Sequence, residues 1–338
     1  MTKPPDIWKG AMLQDQFGRE FSYLRLSITD VCNFSCNYCL PDGYQKSDSV
    51  GCASEQLNLK EIEKLVEAFS RLGTQKIRIT GGEPAIRKDL PEVIKICKQT
   101  PGIQTVSITT NGYKLPQYID DWVDAGLDRI NVSIDSLDPR MFKSITGHNR
   151  LDEVLSGIHR ADQLGIEKIK INAVLMRQFN LKEFDTYIDW IKDKPFTLRF
   201  IELMRTGDNQ AFFEQNHISG QDIKTKLLNQ GWSRILRSKS AGPAQEFQHS
   251  DSKGKIGLIM PYSKDFCNSC NRLRVSSQGK LHLCLFGEQG FNLRQAINHQ
   301  SIEELMNTIR SVVTQKGKSH YLQEGITGST RHLSMLGG

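Results

Sequence analysis

No apolar run in the 338-residue chain approaches the roughly 20 residues that a membrane-crossing helix requires. The opening stretch "MTKPPDIWKG" has neither the apolar core of a signal peptide nor the Arg-rich, acid-poor make-up of a transit peptide. Low-complexity segments, solenoid-type repeats and long charge runs are missing as well. These absences lead to the expectation of a soluble, cytoplasmic protein without a membrane partner. The formal net charge of +6 is spread along the chain, which suits an anionic small molecule as well as nucleic acid and decides little. Cysteine is scarce, eight residues in all, yet six of the eight fall in two short stretches. In a reducing compartment such clusters are more often metal or redox ligands than disulfides.

Six strand-like runs alternate with helical ones: "YLRLSIT" (23–29), "KIRIT" (76–80), "TVSITT" (105–110), "RINVSID" (129–135), "KIKINAVL" (168–175) and "TLRFIEL" (197–203). Gly73, Gly126 and Gly165 close three of the helical runs, as C-terminal caps do. The pattern reads as βαβ units on a parallel sheet. Successive strand side chains point to opposite faces. One face is apolar, with Leu24, Leu26, Ile77, Ile79, Val106 and Ile108 among its members. The other carries Arg25, Lys76, Arg78, Thr109, Ser133 and Lys170. A closed barrel fills its interior with branched apolar groups. The polar, cationic inner face therefore predicts an α/β fold of the incomplete (β/α)6 TIM type, open and holding a ligand in its lumen. An ordinary open sheet with one solvated face is the alternative. The expected organisation is an N-terminal segment (1–20), the partial barrel (21–204) and a C-terminal region (205–338) with its own cysteines.

Cys32, Cys36 and Cys39 in "CNFSCNYC" follow the first strand directly, at the end where barrel enzymes place their chemistry. Closed zinc sites take four ligands, and here there are three. A four-iron cluster on three cysteines keeps one iron open for a cofactor. Cys267 and Cys270, with Cys284 thirteen intervening residues later, form a second triplet on a hairpin-like stretch turning at Gly279. Zinc with His282 as fourth ligand is the alternative there; a second iron-sulfur cluster is the favoured reading. "GGEP" (81–84) after the second strand offers glycines for close backbone approach and, in Glu83, a carboxylate for an ammonium group.

The C-x3-C-x2-C spacing with Tyr38 resembles the radical S-adenosylmethionine (SAM) superfamily. The stretches "LRLSITDVCNFSCNYCLP", "IRITGGEPAIRKDL", "RINVSID", "RFIELM", "FCNSCNRLRVSSQGKLHLCLF" and the terminal "GG" together resemble the GTP 3′,8-cyclase family of molybdenum cofactor biosynthesis. The resemblance implies two 4Fe-4S clusters, with SAM on the first, held by Cys32, Cys36 and Cys39, and the guanine base at the second, on Cys267, Cys270 and Cys284. It implies a SAM site of Tyr38, Gly82, Glu83, Ser133 and Met204. It also implies GTP contacts from Arg25, Lys76, Arg78, Thr109, Lys170, Arg272 and Arg274, and a catalytic part for Arg25 and the tail Gly337–Gly338. The reaction implied is conversion of GTP to 3′,8-cyclo-7,8-dihydro-GTP after removal of the ribose 3′ hydrogen. An external electron donor, a downstream pyranopterin-forming partner protein and a homodimer are further implications, with no nucleic acid and no membrane.

The chain departs from the family pattern at Val31, Ser35 and Arg205, none of which is a cluster ligand. Cys52, in the polar insert 42–56, reads as an ordinary loop thiol, and Cys97 as core. The alternative functions are a radical SAM enzyme that modifies a peptide, against which the cationic lumen argues, and a zinc or nucleic-acid-binding protein. The second would interleave basic and aromatic residues on an exposed face, and the strands show none.

Overall fold

The computed structural model describes residues 12–45, 56–236, 242–288, 290–330 and 333. Six parallel strands, β1 (Tyr23–Ser27), β2 (Lys76–Thr80), β3 (Thr105–Thr110), β4 (Arg129–Ser133), β5 (Lys168–Leu175) and β6 (Thr197–Glu202), lie side by side in chain order. Helices α1 (Leu59–Arg71), α2 (Leu90–Gln99), α3 (Leu115–Asp124), α4 (Pro139–Thr146), α5 (Leu151–Gln163) and α6 (Phe184–Ile191) supply the crossovers, α4 and α5 sharing one of them. The local chemistry explains the element ends. Asn58 and Glu61 form a reciprocal cap at the start of α1, and Gly73, Gly126 and Gly165 adopt positive φ just beyond α1, α3 and α5. Strands β1, β4 and β6 stop one or two residues short of their sequence runs because the chain turns there to build loops at the C-terminal rim.

The apolar strand face is fully sealed: Leu24, Leu26, Ile77, Ile79, Val106, Ile108, Ile130 and Val132 have no exposed surface. It packs against the apolar stripes of the helices, for example Ile62, Leu65, Val66 and Phe69 of α1. The opposite face carries Arg25, Ser107, Asn131 and Arg199, which are buried too. A buried polar face needs partners, and this one surrounds a cavity.

The C-terminal region extends both edges of the same sheet. After α7 (Gln210–Asn216) and α8 (Gly220–Asn229) come β7 (Ser233–Arg234), β8 (Gln245–Gln248) and β9 (Lys255–Ile259), and β9 pairs in parallel with β6. Strand β10 (Arg272–Val275) pairs in parallel with β1 at the other edge, followed by β11 (Lys280–His282), β12 (Phe291–Asn292), α9 (Arg294–His299) and α10 (Ile302–Val313). The sheet order is β12-β11-β10-β1-β2-β3-β4-β5-β6-β9-β8-β7, an open barrel whose two edge strands come from the second half of the chain. No helix among the described residues is long and apolar enough to cross a membrane.

Candidate active site between two cysteine triplets

Strand register places the two triplets. Cys32, Cys36 and Cys39 follow the C-terminal end of β1, whereas Cys267 and Cys270 precede β10, which runs parallel to β1 with Tyr23 opposite Arg272. The triplets therefore flank the lumen from opposite ends, separated by about the five residues of β1, on the order of 16 Å.

The first triplet sits on a loop pinned by its own backbone. Ser35 and Asn37 donate to the carbonyls of Thr146 and Ile145 at 3.1 Å each, and Phe34 stacks on His148 with ring centroids 4.8 Å apart. The cysteines line a cavity of about 930 Å³, partly open to solvent, together with Tyr38, Gly82, Glu83, Ser133 and Asp135. The Tyr38 hydroxyl donates to Asp135 Oδ2 at 2.9 Å, while Asp135 Oδ1 accepts from the Val174 amide. Burial pushes the Cys32 thiol up to about 11 and also raises that of Cys36 well above its ordinary value. Thiols so placed ionise only when a metal supplies the countercharge. Among the described residues no three Cys, His, Asp or Glu side chains converge on one point as a single ion requires. The three cysteines border one cavity, a donor set that suits a cluster of several atoms.

"GGEP" has a local structural job beside the ligand-binding one expected of it. A Cβ on Gly82 would lie 2.3 Å from the Val31 carbonyl oxygen, and one on Gly81 would lie 2.7 Å from that of Thr29. The amides of Gly82 and Glu83 donate to the carbonyls of Thr29 and Val31 at 2.8 Å each. The glycines thus allow close approach of the cysteine loop itself, rather than of a ligand alone. Glu83, expected to hold an ammonium group, already accepts from Ala85 N, Thr110 Oγ1 and Asn111 N. Burial raises its carboxyl to about 7 against those three donors.

The second triplet opens on a cavity of about 1110 Å³, also partly open to solvent, lined by Cys267, Cys270 and Cys284. Its walls include Arg25, Lys76, Arg78 and Lys170 from the barrel and Arg272 and Arg274 from β10. Arg199, in phase with this face, joins them and donates to Asn131 Oδ1 at 2.6 Å. Burial, reinforced by mutual repulsion, depresses Lys76 and Lys170 to about 7, Arg199 to about 9 and Arg274 to about 10. The Nε atoms of Arg78 and Arg199 and Nη1 of Arg272 are buried without hydrogen-bond partners. A group of cations of which Arg25 and Arg199 are buried and the rest half-buried favours an anion in its midst. For Cys270, burial would raise the thiol, but Arg272 and Lys316 outweigh it and bring it down to about 7. His282, the alternative zinc ligand, is not on this cavity's wall, and burial lowers it to about 4.

The site residues expected from the sequence that lie among the described residues border one or other of these cavities. Thr109, expected among the nucleotide contacts, lines the first-triplet cavity, with Oγ1 buried and unpartnered. Its strand phase is right, but Ser107 is the residue level with Arg78, so Thr109 lies further toward the C-terminal rim. Met204 borders both cavities, as do Asn172 and Ile201. The two spaces thus share a wall. Lys316 and His320, on the second cavity, were not singled out by any sequence signal. Cys97 is fully buried, as expected. Cys52, Gly337 and Gly338 lie outside the described residues, although Leu333 lines the first cavity.

The family model described as "Radical SAM superfamily" matches residues 26–191, and "Molybdenum Cofactor Synthesis C" matches 196–322. The chain is 53% identical over 326 residues to a GTP 3′,8-cyclase of Vibrio parahaemolyticus, covering 96% of this chain and 97% of the relative. It is 52% identical over 341 residues to one of Shewanella denitrificans, covering 100% of each. Among solved structures, Streptococcus suis SuiB bound to S-adenosylmethionine matches with a TM-score of 0.59 at 15% identity, over 86% of this chain and 68% of that one, a likeness of fold.

Proposed function

The chain belongs to the GTP 3′,8-cyclase family of radical SAM enzymes, and from that premise we propose how its residues divide the work of converting GTP to 3′,8-cyclo-7,8-dihydro-GTP. The observation that carries the proposal is the shared wall of Asn172, Ile201 and Met204 between a cavity with three thiols and one with three thiols and a cationic lining.

In this reading Cys32, Cys36 and Cys39 hold a 4Fe-4S cluster that keeps one iron free for SAM. Tyr38, anchored to Asp135, and the wall around Gly82, Ser133 and Met204 enclose the nucleoside part. Cys267, Cys270 and Cys284 hold a second 4Fe-4S cluster beside the guanine base. When bound, the first cluster would supply the electron for reductive cleavage of SAM, making available the removal of the ribose 3′ hydrogen and the joining of C3′ to C8 of guanine, with one further electron and a proton from outside the protein completing the 7,8-dihydro product.

The remaining roles belong to the chain. Lys76, Arg78, Lys170 and Arg199 neutralise the triphosphate, and a polyanion in their midst restores the charged form of each amine. Arg25, at the level of Arg78 and Arg274 on neighbouring strands, stands among these cations and orients the ribose. Arg272 and Arg274 hold the nucleotide against the second triplet, and Thr109 faces the junction from the SAM side. The Gly337–Gly338 tail keeps its expected catalytic part in the same reading. An external electron donor, a homodimer and a downstream pyranopterin-forming protein belong to the same reading.

The test is anaerobic reconstitution with iron and sulfide, addition of reductant and SAM, and quantification of 5′-deoxyadenosine with and without GTP. A strong rise with GTP, accompanied by a cyclised nucleotide, is expected. SAM cleavage indifferent to GTP would remove the substrate assignment.

A further inference from the structure

The segment that follows α10 folds back over the second triplet and brings a histidine into the nucleotide cavity. His320 is 5% exposed and lines the same wall as Cys270. Its ring lies between those of Phe266 and Phe286, with centroids 5.8 Å from each. This part of the lumen is apolar and aromatic, unlike the cationic barrel face, so it suits a flat base rather than phosphate.

The hydrogen bonding of the ring fixes its tautomer. The Leu322 amide donates to Nδ1 at 3.0 Å. A backbone N–H only donates, so Nδ1 is the acceptor and the proton of the neutral ring sits on Nε2. Nε2 is buried and makes no hydrogen bond in the structure. Burial and the nearby Lys316 favour the neutral ring, while the Pro261 carbonyl and Cys270 pull the other way; the Pro261 contact falls short of hydrogen-bond geometry and leaves Nε2–H poorly satisfied. A buried donor so poorly satisfied favours a better-placed acceptor on a ligand in the cavity.

The backbone beside it is held in a costly shape. Tyr321, with φ 54° and ψ 24°, is the one non-glycine residue of positive φ among those described. Left-handed backbone at a bulky residue persists where the surroundings impose it, and such sites concentrate at ligand clamps. Here the neighbouring Tyr321 conformation accompanies the turn that lets the Leu322 amide reach His320 Nδ1.

We propose that His320 is a specificity-determining residue whose Nε2–H donates to O6 of the guanine base, on the reading that GTP occupies this cavity. Guanine presents the O6 acceptor at the position where adenine presents an amine donor, whereas N7 is common to both. A fixed donor therefore accepts guanine and sets two donors face to face with adenine. Sites built around one such hydrogen bond reject analogues that lack its partner, because the buried group is then left unmade.

The test uses the anaerobically reconstituted full-length protein, with iron per chain measured for every sample and nucleotide affinity read by calorimetry. The probes are GTP and 2-aminopurine ribonucleoside triphosphate, which keeps the amino group and N7 but lacks O6. The wild type is expected to favour GTP. His320→Leu should weaken GTP about tenfold, leave the analogue's affinity unchanged and keep the wild-type iron content. His320→Gln, which returns an N–H donor near Nε2, should regain part of the discrimination. Undiminished preference for GTP in His320→Leu overturns the assignment, and so does loss of iron in step with affinity, which would make the ring a partner of the cluster. A wild type that binds GTP no better than the analogue also overturns it. A wild type that binds neither nucleotide removes the GTP reading itself.

Discussion

The Tyr38 hydroxyl, one residue from a cysteine of the first triplet, donates to Asp135 Oδ2 at 2.9 Å across the cavity between β1 and β4. Asp135 is buried and Tyr38 partly so, and Asp135 also accepts the Val174 amide, so one carboxylate ties the cysteine loop to two barrel strands. Replacement of Asp135 by Ala leaves the hydroxyl and the amide unpaired, at about 1–3 kcal/mol of stability for each. The expected functional result is a SAM affinity about tenfold lower with GTP affinity unaltered, measured by calorimetry with each ligand. Equal weakening of both ligands would show a general rather than a local effect.

Lys76 and Lys170 give the nucleotide cavity a defined pH dependence. Burial lowers each from the ordinary 10.5 to about 7 in the folded protein. Between these values the unfolded chain binds more protons than the folded one, so the protein without nucleotide gains stability as pH rises through 7 toward 10. A bound triphosphate reverses the shift and recharges the amines. At pH 8, GTP binding should take up on the order of two protons, and its affinity should fall as pH rises further. Calorimetry in two buffers of different ionisation enthalpy reads the number directly. Binding without proton uptake would contradict the cationic-lumen account.

Gly82 to Ala tests the close approach of "GGEP" to the cysteine loop. The added Cβ would lie 2.3 Å from the Val31 carbonyl oxygen and 2.7 Å from that of Asp30, so the loop must shift, at about 1–3 kcal/mol. Iron per chain is expected to fall by about half as the first cluster is lost, with SAM binding abolished and the second cluster retained. Full iron content with normal SAM binding would show that the loop yields easily.

Arg19 holds the other end. Its guanidinium pairs with Asp15 at 2.6 Å and donates to the carbonyls of Cys267, Lys318 and Gly317. Arg19→Met strands Asp15, whose side chain has no exposed surface, at about 3–5 kcal/mol. The double change Asp15→Asn with Arg19→Met should recover much of that stability, since removing both charges is milder than removing one. Selective loss of the second cluster's iron is expected in both variants, because the Cys267 carbonyl is released in each. Iron retained in the stabilised double variant would confine Arg19 to a structural role.

The barrel was legible because its strands alternate with period two, and the polar phase named the lumen face before any coordinates were known. Phase gives the face but not the level, so it does not tell that Thr109 borders the first-triplet cavity while Arg78 and Lys170 border the second. The cysteine triplets were legible from spacing alone. Docking of β9 and β10 on opposite edges was not, since "KIGLI" and "RLRV" carry no local signal of partners so far away in the chain. Lys316 and His320 lie on an irregular segment without periodicity, and Asp15 with Arg19 has the i,i+4 spacing of an ordinary surface pair. Only tertiary contacts bury these four.

The central claim is that the shared wall at Asn172, Ile201 and Met204 brings the SAM nucleoside against the ribose of GTP. The most direct measurement is mass spectrometry of 5′-deoxyadenosine formed from GTP deuterated at C3′. The account predicts that the deuterium appears in 5′-deoxyadenosine; unlabelled 5′-deoxyadenosine formed in GTP-dependent amounts would contradict it.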